Sequence, residues 1–383
     1  MRVLFMAPDP VPHPKGAAQR IEATVRALLA AGAEVTLLTP AGPEGRVLEG
    51  VDQRCVPLPG DGFLERALAF RQAAADRLRE APPDVVWFRS PWEGVPAVLE
   101  ARRHGFPAVY EAHGFPSVEL PAHYPALRFR DDTLDRLIAE ENLVLRGARL
   151  LVTPSRTGRS FLELRGVEPG RIRVVPNSVL LERFPDPAPP RPGLPLQVAY
   201  LGTLAPWQGL GTLLEALRLC KGRLEVRLRL VGTRKGPWLR DLRHQARAAG
   251  VGSMLEVEGP VDPAGVPAFL AQCQVGVAPL PDDPRNSLQG CCPIKLLEYL
   301  AAGRAVLASR IRPVEELLEH GRTGWLVRPG SPRALAEGLE VLASRPDLLE
   351  ALGRNGRAEA VSRWSRETFN RAVAALLAEF RAP

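Results

Sequence analysis

A lysine and a glutamate lie three residues apart in the segment Gly290-Cys-Cys-Pro-Ile-Lys295-Leu-Leu-Glu298. Pro293 suits the first turn of a helix, where its missing N–H does no harm, and helical residues three apart share a face. The free N–H groups of a helix start can bind phosphate. A lysine for phosphate and a carboxylate for ribose hydroxyls would make a nucleotide site. The alternative is an ordinary surface ion pair.

A histidine follows an apolar strand pattern in Val109-Tyr-Glu-Ala-His113-Gly114. A histidine at the carboxyl end of a strand, next to glycine, can face a ligand cleft. His113 is therefore a candidate for catalysis, although a lone histidine can equally be structural.

A loop of small residues, Pro14-Lys-Gly16-Ala17-Ala18, separates the first predicted strand from a helix. Small residues let a ligand approach the backbone of such a loop, and the helix start favours anions. The loop lacks the GxGxxG pattern, and no acidic residue follows at the ribose-binding position of nicotinamide enzymes. The sequence thus argues against a dehydrogenase, while an ordinary turn remains an alternative.

Short apolar strands alternate with helical patterns along the whole chain, which predicts parallel sheets built from βαβ units. In such sheets, ligands bind beyond the carboxyl ends of the strands, where the candidate residues lie. The predicted strands are Val3–Ala7, Val35–Thr39, Val85–Phe88, Ala108–Ala112, Leu150–Thr153, Ile172–Val175, Gln197–Leu201, Val226–Val231, Leu255–Glu258, Val275–Pro279, Ala305–Ala308 and Trp325–Val327.

Residues 184–195 hold six prolines in twelve positions, which predicts a stiff linker. We therefore expect an N-terminal Rossmann-like domain at 1–183 and a C-terminal one at 196–364. An amphipathic pattern at 365–383 predicts one more helix.

The composition is that of a soluble globular protein, with 45% hydrophobic and 24% charged residues among 383. No apolar run is long enough for a transmembrane helix. Five cysteines without a C-x-x-C pair argue against disulfides and structural zinc, and predict a cytoplasmic protein without a metal. The net charge of +7 suits anionic ligands, but no basic cluster with stacked aromatics indicates nucleic acid.

Taken together, these segments resemble the retaining family 4 glycosyltransferases of the GT-B fold. RVLFMAP…GAAQRIEATVRALL resembles the family's opening strand, glycine loop and helix, and VYEAH its strand with a cleft histidine. VAYLGTLAPWQGLGTLLEAL resembles the first βα unit of the donor domain, and CPIKLLEYLAAGRAVLAS the nucleotide-sugar helix. The resemblance implies two doubly wound α/β domains facing across a cleft, with the last helix crossing back to the N-terminal domain.

The resemblance also implies an activity: transfer of a sugar from a nucleotide-diphosphate donor to a carbohydrate or lipid-linked acceptor, with retained configuration and no cofactor. It suggests a role in cell-envelope polysaccharide synthesis. His113 and Lys295 would be catalytic, and Ala17 and Glu119 would contact the acceptor. The implied donor site comprises Gly16, Gly202, Thr203, Gln208, Gly290, Cys291, Cys292, Pro293, Ile294, Lys295 and Glu298.

Three positions depart from the family pattern. The first glutamate of the E-x7-E motif falls at Gly290, and the usual basic pair after the first donor-domain strand is Thr203 and Gln208. Those cations would stabilise the leaving diphosphate, an effect worth about 3–4 kcal/mol. A non-catalytic GT-B protein that binds nucleotide or glycan is therefore one alternative, and a sugar-nucleotide epimerase of similar fold is another.

Residues 63–79 place Phe63, Ala67, Phe70 and Ala74 at helical spacing, with four arginines nearby. Such a helix can lie on an anionic bilayer, which would make the protein peripheral on the inner face of the membrane. The alternative is a helix packed on its own sheet.

Overall fold

The computed structural model describes residues 1–60, 62–124, 130–185, 193, 195–232, 236–259 and 261–381. The chain forms two compact units. The first comprises Met1–Asn177, Leu288–Cys291 and Glu367–Pro383, and the second Ser178–Ser287 and Cys292–Arg366. Most of the predicted proline-rich linker at 184–195 lies outside the described residues.

Within the described residues, the first unit has a parallel sheet of seven strands in the order β3-β2-β1-β4-β5-β6-β7. The strands are Arg2–Met6 (β1), Glu34–Thr39 (β2), Asp52–Cys55 (β3), Val85–Phe88 (β4), Ala108–Glu111 (β5), Leu150–Thr153 (β6) and Ile172–Val174 (β7). The helices of this half are Gly16–Ala30 (α1), Phe63–Glu80 (α2), Pro91–His104 (α3), Pro116–His123 (α4), Asp131–Gly147 (α5) and Arg156–Leu164 (α6).

The described part of the second unit has a parallel sheet of six strands in the order β10-β9-β8-β11-β12-β13. The strands are Leu196–Leu201 (β8), Val226–Val231 (β9), Leu255–Val257 (β10), Val275–Ala278 (β11), Ala305–Ser309 (β12) and Trp325–Val327 (β13). The helices are Leu210–Cys220 (α7), Pro237–Ala248 (α8), Val266–Ala271 (α9), Ile294–Ala301 (α10), Arg312–Glu315 (α11), Pro332–Ser344 (α12) and Pro346–Arg363 (α13). The last helix, Arg366–Ala378 (α14), belongs from Glu367 onward to the first unit.

Both sheets are doubly wound, as predicted. The strand order reverses between β1 and β4 in the first unit and between β8 and β11 in the second. Loops that follow the strands diverge at such a reversal and leave a crevice for ligands at the carboxyl ends. The segments that follow β1, β5 and β8 carry Gly16, His113 and Gly202, so these candidates lie at the ligand-binding edge of their own sheets.

Apolar strands build the core of each unit because a parallel sheet covered by helices buries both faces. In the first unit, Phe5 stacks on Trp87 with ring centroids 6.3 Å apart, and Phe88 stacks on Tyr110 at 5.1 Å. Helix α14 adds Phe369 and neighbouring apolar residues to the cluster that contains Phe5 and Trp87. The last helix therefore packs on the first unit, as the fold class predicted.

Three elements differ from the sequence predictions. Strand β3 has the sequence DQRC and is largely exposed at the sheet edge, so it lacks the apolar pattern used to find strands. Helix α4 contains Pro121, which interrupts a helical pattern, so no helix was predicted there. Helix α11 covers only Arg312–Glu315, although a helical pattern in the sequence runs over 313–320.

Helix α2 buries three of the four residues that suggested membrane contact: Ala67, Phe70 and Ala74 are buried, and the last two belong to the first unit's core. The fourth, Phe63, is exposed, as are Leu64 and Leu68. Among the described helices, none combines the length and apolarity needed to cross a membrane.

Candidate active site

A buried carboxylate ends β5 and organises the candidate residues of the first unit. Glu111 has no exposed surface, and its two oxygens accept hydrogen bonds from side chains of neighbouring elements. The Nε of Arg20 on α1 donates to Oε1 at 2.5 Å, and the Nε1 of Trp87 on β4 donates to Oε2 at 3.0 Å. A buried charge is tolerated only when it is paired and hydrogen-bonded in this way.

Arg20 is held from several directions. Its Nη1 donates to the carbonyls of Val175 and Pro176 at 3.1 and 2.9 Å. Its guanidinium also lies 4.4 Å from the ring centroid of Phe369, a cation–π contact supplied by α14. The arginine therefore joins α1, the end of β5 and the last helix in one buried cluster.

His113 completes this group, which we call the first-unit cluster (Arg20, Trp87, Glu111 and His113). The His113 Nε2 lies 2.9 Å from Glu111 Oε1. Burial lowers the pKa of His113 to about 4, helped by the positive charge of Arg89 and opposed by Glu111. The ring is therefore neutral at physiological pH. Burial alone would raise the pKa of Glu111, but Arg20 and then His113 hold it well below its usual value.

The small-residue loop after β1 leads into α1, which begins at Gly16. Gly16 is exposed, and no side chain caps the first turn. Arg89, which follows β4, donates to the carbonyl of Ala17 at 3.1 Å and ties this turn to the next strand. The exposed glycine and uncapped turn suit the predicted approach of an anionic ligand.

Glu119 on α4 lies beside the turn that carries His113. A side chain at Gly114 would come within 2.8 Å of the Glu119 Oε1. The same oxygen accepts a hydrogen bond from Gln289 Nε2 at 3.0 Å, while Gln289 Oε1 accepts one from the Phe115 N–H at 2.9 Å. The predicted acceptor residue is thus anchored by Gln289.

Gly290 has a structural reason for being glycine. Its φ of +80° lies in the left-handed region. A Cβ there would also lie about 2.5–2.6 Å from the Ser155 hydroxyl and the Gly158 N–H. The usual glutamate cannot be accommodated at this position in the present backbone, so any donor contact of Gly290 would come from its main chain.

In the second unit, the side chains of Tyr200, Gln208 and Lys295 contact one another. Together with Glu298, which follows Lys295 on the same helix, we call them the second-unit cluster. The Lys295 Nζ donates to Gln208 Oε1 at 2.8 Å and lies 4.2 Å from the Tyr200 ring centroid. The Tyr200 hydroxyl donates to the Thr203 carbonyl at 2.7 Å. Because Lys295 can only donate, the Gln208 carbonyl must face it, which turns the amide N–H groups away.

Tyr299 sets the position of α10 on the sheet. Its hydroxyl accepts a hydrogen bond from the Leu201 N–H at 2.9 Å and donates to the Val277 carbonyl at 3.3 Å. Its ring also fills the space where a side chain at Gly276 would lie. This contact anchors the helix between β8 and β11, next to the reversal of strand order.

Glu298 is half-buried on α10, and its carboxylate has no hydrogen-bond partner among the described residues. Burial raises its pKa to about 7, although Arg183 and Lys295 draw it down. A carboxylate that lacks protein donors in a partly desolvated position can accept hydrogen bonds from a ligand instead.

The remaining predicted donor residues lie around the start of α10 and after β8. Pro293 occupies the N-cap of α10, one residue before the helix and not in its first turn as predicted, because its ψ of 115° is extended. Ile294 is then the first helical residue. Cys292 packs in the hydrophobic core of the second unit, and Cys291 is half-buried. Gly202 is exposed with a φ of +124°, and a side chain there would lie 3.3 Å from Lys295 Nζ.

The structure thus brings Lys295, Gln208, Thr203 and Gly202 together in the second unit. Sequence reasoning missed Arg20, Trp87 and Tyr200, and gave no role to Glu111. The available signal was a glutamate within an apolar strand pattern, two residues before His113, which indicates a buried carboxylate that needs partners. Within the described part of the chain, no three His, Cys, Asp or Glu side chains are grouped closely enough to hold a metal ion.

Two family models match the sequence. Glycosyltransferase Family 4 matches residues 14–183, and Glycosyl transferases group 1 matches residues 195–345. Together the two matches cover most of the chain, which therefore belongs to the family 4 and group 1 glycosyltransferases. The boundary between the two matches falls in the proline-rich segment.

Curated relatives agree with this assignment. The putative colanic acid biosynthesis glycosyltransferase WcaL of Salmonella typhimurium is 28% identical over 248 residues, which cover 64% of this chain and 60% of the relative. The first relatives are thus matched over only about 60% of their own length. The phosphatidyl-myo-inositol mannosyltransferase of Mycobacterium leprae is 28% identical over 382 residues, covering 95% and 93% of the two chains.

Solved structures show the same GT-B fold. Sucrose-phosphate synthase from Thermosynechococcus elongatus superposes with a TM-score of 0.83 and 19% identity, covering 100% of this chain and 99% of that one. Anabaena HepE in complex with UDP-glucose has a TM-score of 0.77 and 19% identity, covering 99% and 100%. These likenesses confirm the predicted fold class.

Proposed function

We propose that the protein transfers a sugar from a nucleotide-diphosphate sugar to a carbohydrate or lipid-linked acceptor, with retention of configuration. The observation that carries this proposal is the second-unit cluster. It offers an ammonium group, an amide and a carboxylate that accepts no hydrogen bond from the described residues, at the ligand-binding edge of a doubly wound sheet. These groups complement a diphosphate and a ribose.

The donor is proposed to be a uridine diphosphate sugar. Support comes from the HepE complexes with UDP and UDP-glucose, which share the fold. Lys295 would neutralise diphosphate charge, and Glu298 would accept hydrogen bonds from the ribose hydroxyls. The Gln208 amide would donate to the leaving diphosphate where the family usually has a cation.

This replacement changes how the leaving group is stabilised. The neutral amide of Gln208 supplies a hydrogen bond but no net charge. The positive charge is therefore proposed to come from Lys295, which is held next to Gln208. The contact of Lys295 with both Gln208 and Tyr200 supports this role because it limits the positions that the ammonium group can take. Such fixed donors stabilise developing charge without reorganisation during the reaction.

In the proposed reaction, the bond between the anomeric carbon and the diphosphate oxygen breaks. The acceptor oxygen bonds to the anomeric carbon on the same face, and its proton passes to the leaving diphosphate. His113 is neutral and would hold a sugar hydroxyl, while Ala17 and Glu119 would contact the acceptor. The protein then acts mainly by positioning and charge stabilisation.

The acceptor is proposed to be a growing cell-envelope glycan or its lipid-linked precursor. Support comes from the named relatives, which are a colanic acid biosynthesis enzyme and a phosphatidyl-myo-inositol mannosyltransferase. Peripheral membrane contact, carried by the exposed Phe63, Leu64 and Leu68 of α2, belongs to the same proposal.

The test has two stages. A thermal-shift screen of nucleotide diphosphates and their sugars identifies the donor, since a ligand that binds only the folded state raises its stability. Incubation of that donor with candidate acceptors, followed by NMR of the product, then reports transfer and the anomeric configuration. Binding without transfer to any acceptor would favour a non-catalytic protein, and an inverted product would contradict the retaining mechanism.

A further inference from the structure

The hydrogen bonds around Glu111 determine which nitrogen of His113 carries its proton. Oε1 accepts from Arg20 Nε, and Oε2 accepts from Trp87 Nε1. Arginine and indole nitrogens only donate, so both carboxylate oxygens act as acceptors. The His113 Nε2, 2.9 Å from Oε1, must therefore donate its proton to the carboxylate.

The other ring nitrogen is then an acceptor. A neutral imidazole carries one proton, and the ring is neutral because burial lowers the pKa of His113 to about 4. The proton lies on Nε2, so Nδ1 carries a lone pair. In the described part of the chain, Nδ1 has no hydrogen-bond partner, which leaves it available to a ligand.

The pair is built to orient the ring, not to make it a base. In a histidine–carboxylate pair that activates a base, the carboxylate charge stabilises the protonated imidazole. Here Arg20 makes a direct ion pair with Glu111, and Arg89 adds a second positive charge that disfavours protonation of His113. Arg20 thus already neutralises the charge of the Glu111 carboxylate, without any contribution from His113.

We propose that Glu111 is a positioning residue that holds His113 as its Nε2–H tautomer and so presents Nδ1 as a fixed acceptor for one sugar hydroxyl. This inference rests on the proposed function for the identity of the ligand. It assigns a specificity as well as a role: the sugar must carry a hydroxyl that can donate at this position. A deoxy or O-methyl sugar at that position would leave Nδ1 unpaired and react more slowly.

The tautomer can be observed without any turnover. In the full-length protein labelled with ¹⁵N-histidine, long-range ¹H–¹⁵N spectra distinguish a protonated ring nitrogen from one with a lone pair, and the spectrum of His113→Ala assigns the signals. We expect Nε2 to be protonated and Nδ1 to be unprotonated throughout pH 6–8. A protonated Nδ1 in the wild type would overturn the proposal.

The dependence on Glu111 needs a variant that still folds. The double change Glu111→Leu with Arg20→Met removes both buried charges, an exchange that is often neutral or stabilising. We expect the His113 signals to become an average of the two tautomers. The matched control is Glu141→Leu with Arg165→Met, a second Arg–Glu pair in the same unit whose carboxylate is also buried. It should leave the His113 tautomer unchanged. A single Nε2–H tautomer in the first double variant would contradict the role of Glu111.

The acceptor role of Nδ1 is tested by two amide replacements. His113→Asn can place its amide oxygen near the position of Nδ1, whereas His113→Gln reaches toward the position of Nε2. We expect turnover of the asparagine variant to exceed that of His113→Ala by about tenfold, with the glutamine variant near the alanine level. Better rescue by glutamine would overturn the assignment. Absence of wild-type turnover would instead contradict the proposed function, while the NMR experiment still decides this inference.

Discussion

The first-unit and second-unit clusters each contain a buried or half-buried glutamate, but they surround it differently. Glu111 accepts hydrogen bonds from the side chains of Arg20, Trp87 and His113, and its pKa is held below the usual value. Glu298 has no hydrogen-bond partner among the described residues, and burial raises its pKa to about 7. The carboxylate of the first cluster is saturated by donors from the protein, whereas the carboxylate of the second can accept hydrogen bonds from a ligand. In the proposed function, orientation of the sugar and binding of the nucleotide are therefore carried by different units of the chain.

The largest expected effect is on stability in the first unit. Arg20→Met leaves the buried Glu111 without its cation, so the free energy of unfolding should fall by about 3–5 kcal/mol. The matched control is Arg26→Met on the same helix, which removes an exposed pair with Glu22 worth about 0.3–0.5 kcal/mol. Urea denaturation measures both. Equal losses would mean that the first-unit cluster is not preorganised by this ion pair.

The next effect is on turnover. His113→Ala removes one positioning contact, so turnover should fall by about 10- to 1,000-fold. Affinity for the bare nucleotide diphosphate should not change, because that group is assigned to the second-unit cluster. Steady-state kinetics and calorimetry measure the two quantities. Full activity would remove His113 from the site. Lost nucleotide binding would contradict the assignment of the nucleotide to the second-unit cluster.

Lys295→Met should weaken binding of the nucleotide, the quantity that His113→Ala leaves unchanged. Loss of a hydrogen bond to a charged phosphate costs about 1.5–3 kcal/mol, which corresponds to about 10- to 100-fold weaker binding of UDP. Lys221→Met serves as the control, since Lys221 is an exposed lysine of the same unit whose Nζ donates to the Gly250 carbonyl. If calorimetry gives the same affinity for both variants, Lys295 is not part of the nucleotide site.

The raised pKa of Glu298 gives the second-unit cluster a pH dependence. Hydroxyl donors favour the ionised carboxylate, so UDP binding should strengthen as pH rises through about 7, by at most about tenfold per pH unit. In the absence of ligand, stability depends on pH in the opposite direction, because the folded state holds the proton of Glu298. The contribution of Glu298 to stability is therefore full below about pH 4.5 and is lost as pH rises through 7.

Glu298→Gln removes this titration while keeping the shape of the side chain. UDP itself changes ionisation in the same range, so the informative quantity is the difference between the pH slopes of wild type and variant. A shallower slope in Glu298→Gln is expected. Identical slopes would show that Glu298 is already ionised or does not meet the nucleotide.

The smallest expected effect concerns the surface of α2. Leu64 and Leu68 are 58% and 49% exposed, and their replacement by serine should weaken sedimentation with anionic vesicles by about tenfold. Leu164→Ser is the control, because Leu164 is 79% exposed on α6 of the same unit. Equal sedimentation of all three proteins would remove α2 from any membrane contact.

The sequence predicted the fold well because fully apolar strands alternating with helices leave few other architectures. It missed β3, whose charged residues lie at an exposed edge, and α4, which contains Pro121. In the site, Lys295 and Glu298 could be found because three-residue spacing on a helix is local. The pairing of Arg20 with Glu111 could not, since it joins residues 91 positions apart through side-chain packing. The glycine at 290 likewise depends on Ser155 and Gly158, which are distant in sequence.

The path of the chain has a consequence for its synthesis. Most of the first unit, Met1–Asn177, precedes the second unit along the chain, but the first unit is completed by Leu288–Cys291 and by Glu367–Pro383. Phe369, Val373 and Leu377 belong to the same core as Phe5 and Trp87, and Phe369 covers the guanidinium of Arg20. On the ribosome, this core therefore stays open while the second unit is made and closes only after α14 emerges. Nascent chains expose an apolar face throughout that interval, and chaperones that shield such faces would act on them then.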